Sequence, residues 1–423
     1  MKTKSAAIGL LAAAVAGTVL ADEGPIPKGI PHLDHVFLVM MENHGYSQIL
    51  NNPNASFINK LTNSANLATN YYAVGHPSLT NYLEVVGGSN FGVQSDNFPD
   101  WHSTSCVTNL SSGTPATDNP PSPAICPIWG FGADAATPAV DTTNETQGSP
   151  GENNIDGIQS IPAARNTDGK TIADQLVTWG RSWKSYQEDL PPGGADTINY
   201  SDGFFTNNTD FGAIQPTLNP PLSQSNIVQL YAVKHNPFAY FRSVQEGDGR
   251  GNSLENVVGF EGSRGLLADL RSGDVPNFLF IAPNQCNDQH GRGNAGPFCN
   301  FDPSDNGLQA GLNPALMIRG DMSVQNLVTA IKSSPAWHQG NNAIIVMWDE
   351  NDYSTAPNTN QVMLIVDTNY GVHGVKSAQR YTHFSLLKSL EAGFALPCLN
   401  HACDDNVRVM SDLFGRDDRG NQH

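Results

Sequence analysis

The feature that most constrains this fold is an apolar run that ends in an acid and an amide. Residues 35–44 read HVFLVMMENH, and residues 36–41 have the length and composition of a strand buried on both faces. Open α/β sheets place their ligands at the carboxyl ends of strands, so Glu42 and Asn43 are predicted oxygen ligands at the mouth of a parallel sheet. The alternative is that Glu42 only opens a polar loop.

A second apolar run is also followed directly by acidic residues. Residues 343–348 (AIIVMW) predict another buried strand, and Asp349 and Glu350 follow it directly. With Glu42, three carboxylates would converge at one edge, and they would repel one another unless a cation lay between them. Oxygen-rich ligation favours Ca²⁺, Mg²⁺ or Mn²⁺ as the divalent metal ion, with Zn²⁺ and iron left open. The alternative is two unrelated loop starts.

Ser78 lies at a predicted helix start. We place Pro77 at the first helical position, where free backbone N–H groups and the helix dipole favour a phosphate oxyanion. A serine beside a metal at such a position can lose its proton and attack phosphorus. The alternative is an ordinary helix start in which Pro77 and Ser78 have their usual capping roles.

Two loops near predicted strand ends add further polar side chains. Asp288 and His290 follow the predicted strand at residues 277–282, and His383 opens a predicted helix. A lone histidine is more often structural than catalytic. Because these two lie in predicted loops at the sheet edge, both enter the candidate site as hypotheses.

Strand and helix patterns alternate along most of the chain. This indicates an α/β fold with a mostly parallel central sheet, helices on both faces and long loop insertions. The predicted strands are residues 36–41, 182–186, 277–282, 343–348 and 362–366, and the predicted helices are residues 171–179, 324–333 and 384–392. Residues 91–165 lack periodicity and are rich in loop-forming residues, so we interpret them as an insertion.

Residues 1–21 have the layout of a secretory signal, with a basic start, an apolar run and small residues before Asp22. We therefore expect cleavage near Ala21, a secreted or periplasmic location and a single domain over residues 22–423. The alternative is a permanent N-terminal anchor.

The formal net charge of −18 argues against nucleic acid and against stable association with an anionic membrane. It leaves a phosphate substrate open, because a bound metal dominates its local field.

The chain contains six cysteines, and with export this favours disulfides. No pair has the CxxC spacing of a thiolate zinc site. Several connectivities are open, and pairing by proximity predicts Cys106–Cys126, Cys286–Cys299 and Cys398–Cys403.

Seven segments resemble one known family when they are taken in order. They are MENH (41–44), HPSLTNYL (76–83), SWKSYQE (182–188), KHNPF (234–238), PNQCNDQH (283–290), WDEND (348–352) and HFSLL (383–387). Together they resemble the bacterial and fungal phosphoesterase family, which groups metal-dependent acid phosphatases with non-specific phospholipases C in the alkaline phosphatase-like superfamily. The chain departs from the usual pattern at Thr80, where proline is common, and at Asn351, where glycine is common.

The resemblance implies a role for each matching residue. The implied metal ligands are Glu42, Asn43, Ser78, Asp349 and Glu350. The implied catalytic residues are Ser78, as the nucleophile, and His290, as the acid that protonates the leaving oxygen. The implied substrate-binding residues are Asn81, His235, Asp288 and His383. The expected reaction proceeds through a phosphoserine intermediate that water hydrolyses.

Three functions are consistent with the sequence. The first is an exported acid phosphatase that acts on a small phosphorylated substrate, a phosphomonoester. The second is a phospholipase C that cleaves phosphodiester head groups, and the third is a catalytically inactive binding protein on the same scaffold. The complete set of candidate ligands argues against the third. The chain has no basic, aromatic-rich amphipathic stretch, which favours the first over the second.

Overall fold

The structure is a computed structural model, and it describes residues 23–91, 96, 99, 169–190, 198, 230–292, 295–304, 306–351 and 360–415. The predicted signal at residues 1–21 lies outside the described residues. So does most of the predicted insertion at 91–165, including Cys106 and Cys126.

The strands of the described part are short, with His35–Met41 and Asn342–Trp348 the longest at 7 residues each. In chain order they are β1 His35–Met41, β2 Asn66–Ala68, β3 Tyr71–Tyr72, β4 Trp183–Gln187, β5 Val257–Gly259, β6 Phe278–Ala282, β7 Asn342–Trp348, β8 Leu364–Thr368, β9 Lys376–Ser377 and β10 Tyr381–Thr382.

The α-helices of the described part range from one turn to five. In chain order they are α1 Tyr46–Ile49, α2 Ser56–Ser64, α3 Ser78–Gly87, α4 Ile172–Thr178, α5 Arg242–Gln245, α6 Leu266–Ser272, α7 Pro314–Ser333, α8 His383–Phe394 and α9 Ser411–Phe414.

Eight strands form one sheet in the order β5-β4-β6-β1-β7-β8-β2-β9. β1 lies between β6 and β7 and is parallel to both, while β8 is antiparallel to its neighbours β7 and β2. Every residue from Val36 to Met41 is fully buried, as expected for a strand covered on both faces. The predicted mostly parallel α/β sheet is confirmed.

Helices cover both faces of this sheet. Consecutive strand residues point to opposite faces, so Phe37 and Leu38 of β1 face different sides. The ring of Phe37 lies 6.4 Å from that of Trp337, in the turn that follows α7. Leu38 is aligned with Phe280 of β6, whose ring lies 6.0 Å from that of Tyr82 in α3. The 3₁₀ helix Pro335–His338, which directly follows α7, therefore lies on the face opposite α3, and the predicted cover of helices on both faces is also confirmed.

The largest error in the predicted elements concerns α7, which begins at Pro314 rather than at residue 324. Asn313 caps it by accepting a hydrogen bond from the backbone N–H of Ala315. Its first half contains Gly320 and Asp321, which interrupt the apolar period. Asp321 is buried because it accepts hydrogen bonds from the start of α2, a tertiary contact that local sequence does not reveal.

Two predicted disulfides are confirmed. Cys286 pairs with Cys299 and Cys398 pairs with Cys403, and no described cysteine is free. The third predicted pair lies outside the described residues. Over the same described part of the chain, no helix combines the length and apolarity needed to cross a membrane.

Candidate active site

The ends of two central strands bring the two predicted acidic edges together. Met41 and Trp348, the last residues of β1 and β7, are aligned across the sheet. Glu42 and Asp349 follow them, and the backbone N–H of Asp349 donates to the carbonyl of Met41 at 3.1 Å. The N–H of Glu42 donates to the carbonyl of Asp288 at 2.8 Å, which fixes a third loop beside them. The predicted convergence at one sheet edge is confirmed.

Ser78 lies between two of the predicted acidic ligands. Its Oγ is 3.1 Å from Glu42 Oε2 and 3.0 Å from Glu350 Oε1. Ser78 is the first residue of α3, and Pro77 caps the helix instead of occupying its first helical position as predicted. One hydroxyl hydrogen cannot satisfy two buried carboxylates equally, so these three oxygens form a natural set of ligands for a cation.

Asp349 completes the oxygen-rich side of the site. Its Oδ1 accepts the backbone N–H of Asn43 at 2.9 Å, whereas its Oδ2 has no hydrogen-bond partner although the residue is fully buried. A buried carboxylate oxygen without a partner carries a large desolvation penalty. A cation bound at Oδ2 would remove that penalty.

The buried acids favour their protonated forms. Burial raises the pKa of Glu42 to about 7, although the Lys234 ammonium opposes the rise. Burial and repulsion from Glu42 raise the pKa values of Asp288 and Asp349 well above their ordinary range. A divalent cation would reverse these shifts by favouring the charged carboxylates, so this donor set fits a metal ion.

Glu42 also faces a nitrogen donor. Its Oε1 is 3.0 Å from His235 Nε2, and His235 Nδ1 is 3.1 Å from Asp288 Oδ2. The imidazole stacks on Tyr82, with ring centroids 5.4 Å apart. Burial lowers the pKa of His235 well below its ordinary value. The neutral ring lies close to both carboxyl groups, but Glu42 Oε1, His235 Nε2 and Asp288 Oδ2 are buried without a hydrogen-bond partner in the described structure.

Glu42, His235 and His290 form a second group of donors, whose ligand atoms lie within 4.8 Å of one another. Nitrogen donors of this kind suit Zn²⁺ or iron. However, His290 Nε2 lies 3.1 Å from Lys234 Nζ, so its lone pair already accepts a hydrogen bond from an ammonium group. Because that lone pair is occupied, the oxygen set around Ser78 is the better candidate metal site. Lys234 does not distinguish the two sets by its charge, since its Nζ is also only 3.5 Å from Ser78 Oγ.

His290 is held as a neutral ring. Its Nδ1 donates to the carbonyl of Gly291 at 2.8 Å. Burial and the Lys234 ammonium lower the pKa of His290 to about 3. The Lys234 ammonium beside the ring disfavours the proton that His290 would need as the predicted acid for the leaving oxygen.

Lys234 was not among the predicted site residues. Its Nζ lies 3.0 Å from Asp96 Oδ2 and 3.5 Å from Ser78 Oγ, in addition to its contact with His290. Burial opposes its charge, but the carboxylates of Asp96, Glu42 and Glu350 outweigh that effect and raise its pKa. Lys234 belongs to the KHNPF segment, so the sequence signal was present but pointed only to His235.

Glu350 is oriented by two polar side chains, one just before α3 and one within it. His76 Nδ1 lies 2.6 Å and Asn81 Nδ2 3.2 Å from Glu350 Oε2. Asn81 is fully buried, and its Oδ1 accepts the backbone N–H groups of Val74 and Gly75. It holds the turn that leads to Ser78, and His76 is a further residue absent from the sequence-based set.

His383 lies behind Asp349. Its Nε2 is 2.6 Å from the carbonyl oxygen of Asp349, and its Nδ1 is 2.8 Å from the hydroxyl of Tyr71. Burial lowers its pKa to about 4, so the ring is neutral and can accept from Tyr71 while it donates to Asp349. Both ring nitrogens thus have protein partners in the described structure.

The two departures from the family pattern leave the site intact. Thr80 is fully buried, and its hydroxyl donates to the carbonyl of Pro77 at 2.8 Å. The backbone N–H of Asn351 donates to Asn360 Oδ1 at 2.8 Å. Neither residue displaces a candidate ligand.

Comparison with known proteins places these observations in a family. The Phosphoesterase family profile matches residues 48–296, more than half of the 423-residue chain. This range includes Ser78, His235, Asp288 and His290, whereas Glu42 and Asp349 lie outside it.

Three similar proteins illustrate the match. An acid phosphatase of Aspergillus fumigatus is 24% identical over 373 residues, covering 88% of this chain and 57% of its own length. A phosphatidylinositol-3-phosphatase of Mycobacterium tuberculosis is 22% identical over 416 residues, covering 97% of this chain and 93% of its own length. A solved structure from Vibrio parahaemolyticus, described as a protein in the alkaline phosphatase superfamily, covers 90% of this chain and 71% of its own, with a TM-score of 0.44 and 12% identity. On the strength of the profile match, this chain belongs to the Phosphoesterase family.

Proposed function

We propose that this chain is an exported, metal-dependent hydrolase that acts on phosphomonoesters. Its similarity to proteins named acid phosphatases supports this proposal. The observation that carries the proposal is the position of Ser78 Oγ, at the start of α3 and 3.0–3.1 Å from the carboxylates of Glu350 and Glu42. A serine with an adjacent base at a helix N-terminus suits attack on a phosphoryl group.

The first chemical step in the proposal is attack of Ser78 on phosphorus. The Oγ forms a bond to phosphorus as the bond to the leaving oxygen breaks, and the Oγ proton passes to Glu42 or Glu350. The leaving oxygen departs as an anion, as p-nitrophenolate can, or takes a proton from water. The product is a phosphoserine, and water attacks it in the second step to regenerate Ser78 and release phosphate. The hydroxyl already lies within hydrogen-bond distance of both acceptors, so no rearrangement is needed for its deprotonation.

A divalent ion fits the oxygen donors of this site. It would lower the pKa of the serine hydroxyl and offset negative charge on the phosphoryl oxygens. We propose Ca²⁺, Mg²⁺ or Mn²⁺ ahead of Zn²⁺ or iron, since the donors best placed for it are oxygens. The proposed ligands are Glu42, Asn43, Ser78, Asp349 and Glu350.

The remaining candidate residues act on these groups. We propose that His235 and Asp288 hold Glu42 in place, since the His235 nitrogens lie 3.0 Å from Glu42 and 3.1 Å from Asp288. His383 positions Asp349 through its backbone carbonyl. His290 orients Lys234 by accepting a hydrogen bond at Nε2, and its role as the acid for the leaving oxygen stays a prediction.

We expect the protein to hydrolyse p-nitrophenyl phosphate and to lose this activity when a chelator removes its metal. Adding Mg²⁺, Mn²⁺ or Ca²⁺ should restore the activity. p-Nitrophenyl phosphorylcholine serves as the diester comparison, and it should turn over more slowly. Full activity of a protein shown to be metal-free by elemental analysis would contradict the metal requirement. Faster turnover of the diester would favour the phospholipase C alternative.

The Cys286–Cys299 disulfide should matter for catalysis because it closes the segment that carries Asp288 and His290. Replacing both cysteines with alanine is expected to lower kcat/KM for p-nitrophenyl phosphate by about tenfold or more, since small displacements of catalytic groups have large effects on rate. Steady-state kinetics measures the loss, and thermal unfolding shows whether the variant stays folded at the assay temperature.

The matched control removes Cys398 and Cys403, whose disulfide closes a loop that contacts Gly88 at the far end of α3 from Ser78. This control should lose stability but keep kcat/KM within about twofold while it is folded. Equal kinetic losses in the two double variants would show that the first disulfide has no special role at the site.

A further inference from the structure

We propose that the backbone N–H of Leu79 and the ammonium of Lys234 form the binding site for the phosphoryl oxygens of the substrate, and that the Asp96 carboxylate competes for this site. The proposal rests on the proposed phosphatase function and deepens it. Asp96 would then set how tightly the protein binds substrate and the phosphate product.

The Asp96 carboxylate contacts both donors at once. Its Oδ1 accepts the N–H of Leu79 at 3.1 Å, and its Oδ2 lies 3.0 Å from Lys234 Nζ. Leu79 follows Ser78 in the first turn of α3, where backbone N–H groups have no partner within the helix. A carboxylate and a phosphoryl group both present two adjacent anionic oxygens. The donors that hold Asp96 can therefore hold a phosphate in the same way.

The surroundings of Lys234 favour an anion at the position of the Asp96 carboxylate. Its side chain is only 5% exposed, and its three N–H donors face Asp96, His290 Nε2 and Ser78 Oγ. Without Asp96, the buried ammonium would lose the one carboxylate that bonds it directly among the described residues, which is unfavourable unless another anion replaces it. A phosphoryl group that lies within reach of Ser78 supplies that replacement.

The position of these two donors relative to the proposed nucleophile supports the same assignment. Lys234 Nζ is 3.5 Å from Ser78 Oγ, and the Leu79 N–H belongs to the residue that follows Ser78. An oxygen bound by these two donors would lie next to the attacking hydroxyl. In contrast, Glu42 and Glu350 contact that hydroxyl through their own oxygens, so they would repel a phosphate unless a cation screened them.

A simpler role for Asp96 is to hold Lys234 in place. The two roles predict opposite effects of removing the carboxylate. If Asp96 competes with the substrate, its loss tightens phosphate binding. If Asp96 only positions Lys234, its loss weakens phosphate binding or leaves it unchanged.

The test measures binding of inorganic phosphate by calorimetry to the full-length mature protein in the presence of Mn²⁺. Asp96→Asn and Asp96→Ala are each expected to lower the Kd for phosphate roughly tenfold or more, since a charge-assisted hydrogen bond no longer opposes the ligand. Lys234→Met is expected to raise this Kd by roughly tenfold or more. The inhibition constant of phosphate against p-nitrophenyl phosphate should change in the same directions for each variant that remains active.

Glu255→Gln is the control for net charge, because Glu255 is 81% exposed and pairs only loosely with Arg264 at 3.9 Å. This control should leave the Kd within about twofold of the parent value. If both Asp96 variants match the control or bind phosphate more weakly, the proposal is wrong. It is also wrong if Lys234→Met binds phosphate as tightly as the parent does.

Failure of the proposed phosphatase function would give different results from failure of the proposed binding site. A parent protein that binds phosphate but hydrolyses no phosphomonoester would overturn the phosphatase assignment. The same calorimetric comparison of Asp96 and Lys234 variants would still support or overturn the binding site.

Discussion

Ser78→Ala is expected to lower kcat for p-nitrophenyl phosphate by on the order of 10³-fold or more, because it removes both the nucleophile and a contact in the proposed metal site. The fold should tolerate the change, since Ser78 makes its side-chain contacts with Glu42, Glu350 and Lys234 rather than with the hydrophobic core. Stopped assays with labelled substrate should also trap phosphate on the peptide that contains Ser78 in the parent protein. The variant should trap none.

Thr80 provides the matched control because it is the nearest other hydroxyl in α3. Its Oγ1 donates to the carbonyl of Pro77, and it is fully buried away from Glu42 and Glu350. Thr80→Val keeps the side-chain shape and should leave kcat within about tenfold of the parent, since residues two apart on a helix point to different faces. If the label is found on Thr80, or if Ser78→Ala stays within a few-fold of the parent, the mechanism is wrong.

The parts of the site that the sequence predicts best are those attached to regular structure. Glu42 and Asp349 each follow a long apolar strand, and parallel neighbours must end at the same sheet edge. The spacing of Ser78 after Pro77 locates a helix start within one residue. In these cases a local pattern and a general rule of sheet geometry together place the side chain.

The parts that the sequence does not predict depend on contacts between segments that are far apart in the chain. Lys234, Asp96 and His76 lie outside the strand and helix patterns, and each contacts a partner far away in the chain. No spacing rule brings Asp96 to α3, and it falls in a segment interpreted only as an insertion. The protonation of His290 likewise depends on Lys234, a contact that appears only in three dimensions.

The same distinction applies to the fold. The core strands were predicted within about two residues, because a continuous apolar run of that length has few other uses in a soluble α/β fold. The first half of α7 was missed because Asp321 interrupts its apolar face in order to cap α2. A buried polar residue that serves another element carries no local signal of its purpose.

Asp349→Asn is expected to weaken metal binding by about 100-fold or more and to reduce activity to the level of the chelated parent. Even residues that only orient metal ligands change affinity by roughly 10–100-fold, so loss of a charged ligand should exceed that range. The substitution keeps an oxygen that can accept the N–H of Asn43, as Oδ1 does now at 2.9 Å. The loss of metal affinity therefore measures the contribution of the charge and of the second oxygen of Asp349, and not a rearrangement of the loop at Asn43. Metal titration followed by elemental analysis measures the affinity.

Thermal unfolding gives a readout that does not depend on activity. Burial and repulsion from Glu42 and Glu350 raise the pKa of Asp349, so its charged form destabilises the metal-free fold at neutral pH. Asp349→Asn should therefore raise the Tm of the metal-free protein, while added metal should stabilise the parent and not the variant. Asp367→Asn is the control, since Asp367 is a buried acid on β8 that pairs with Lys332 of α7. Its strand partner Ile344 lies near the end of β7 that is away from Asp349. If Asp349→Asn lowers the metal-free Tm and still gains stability from metal as the parent does, Asp349 is a structural residue and not a ligand.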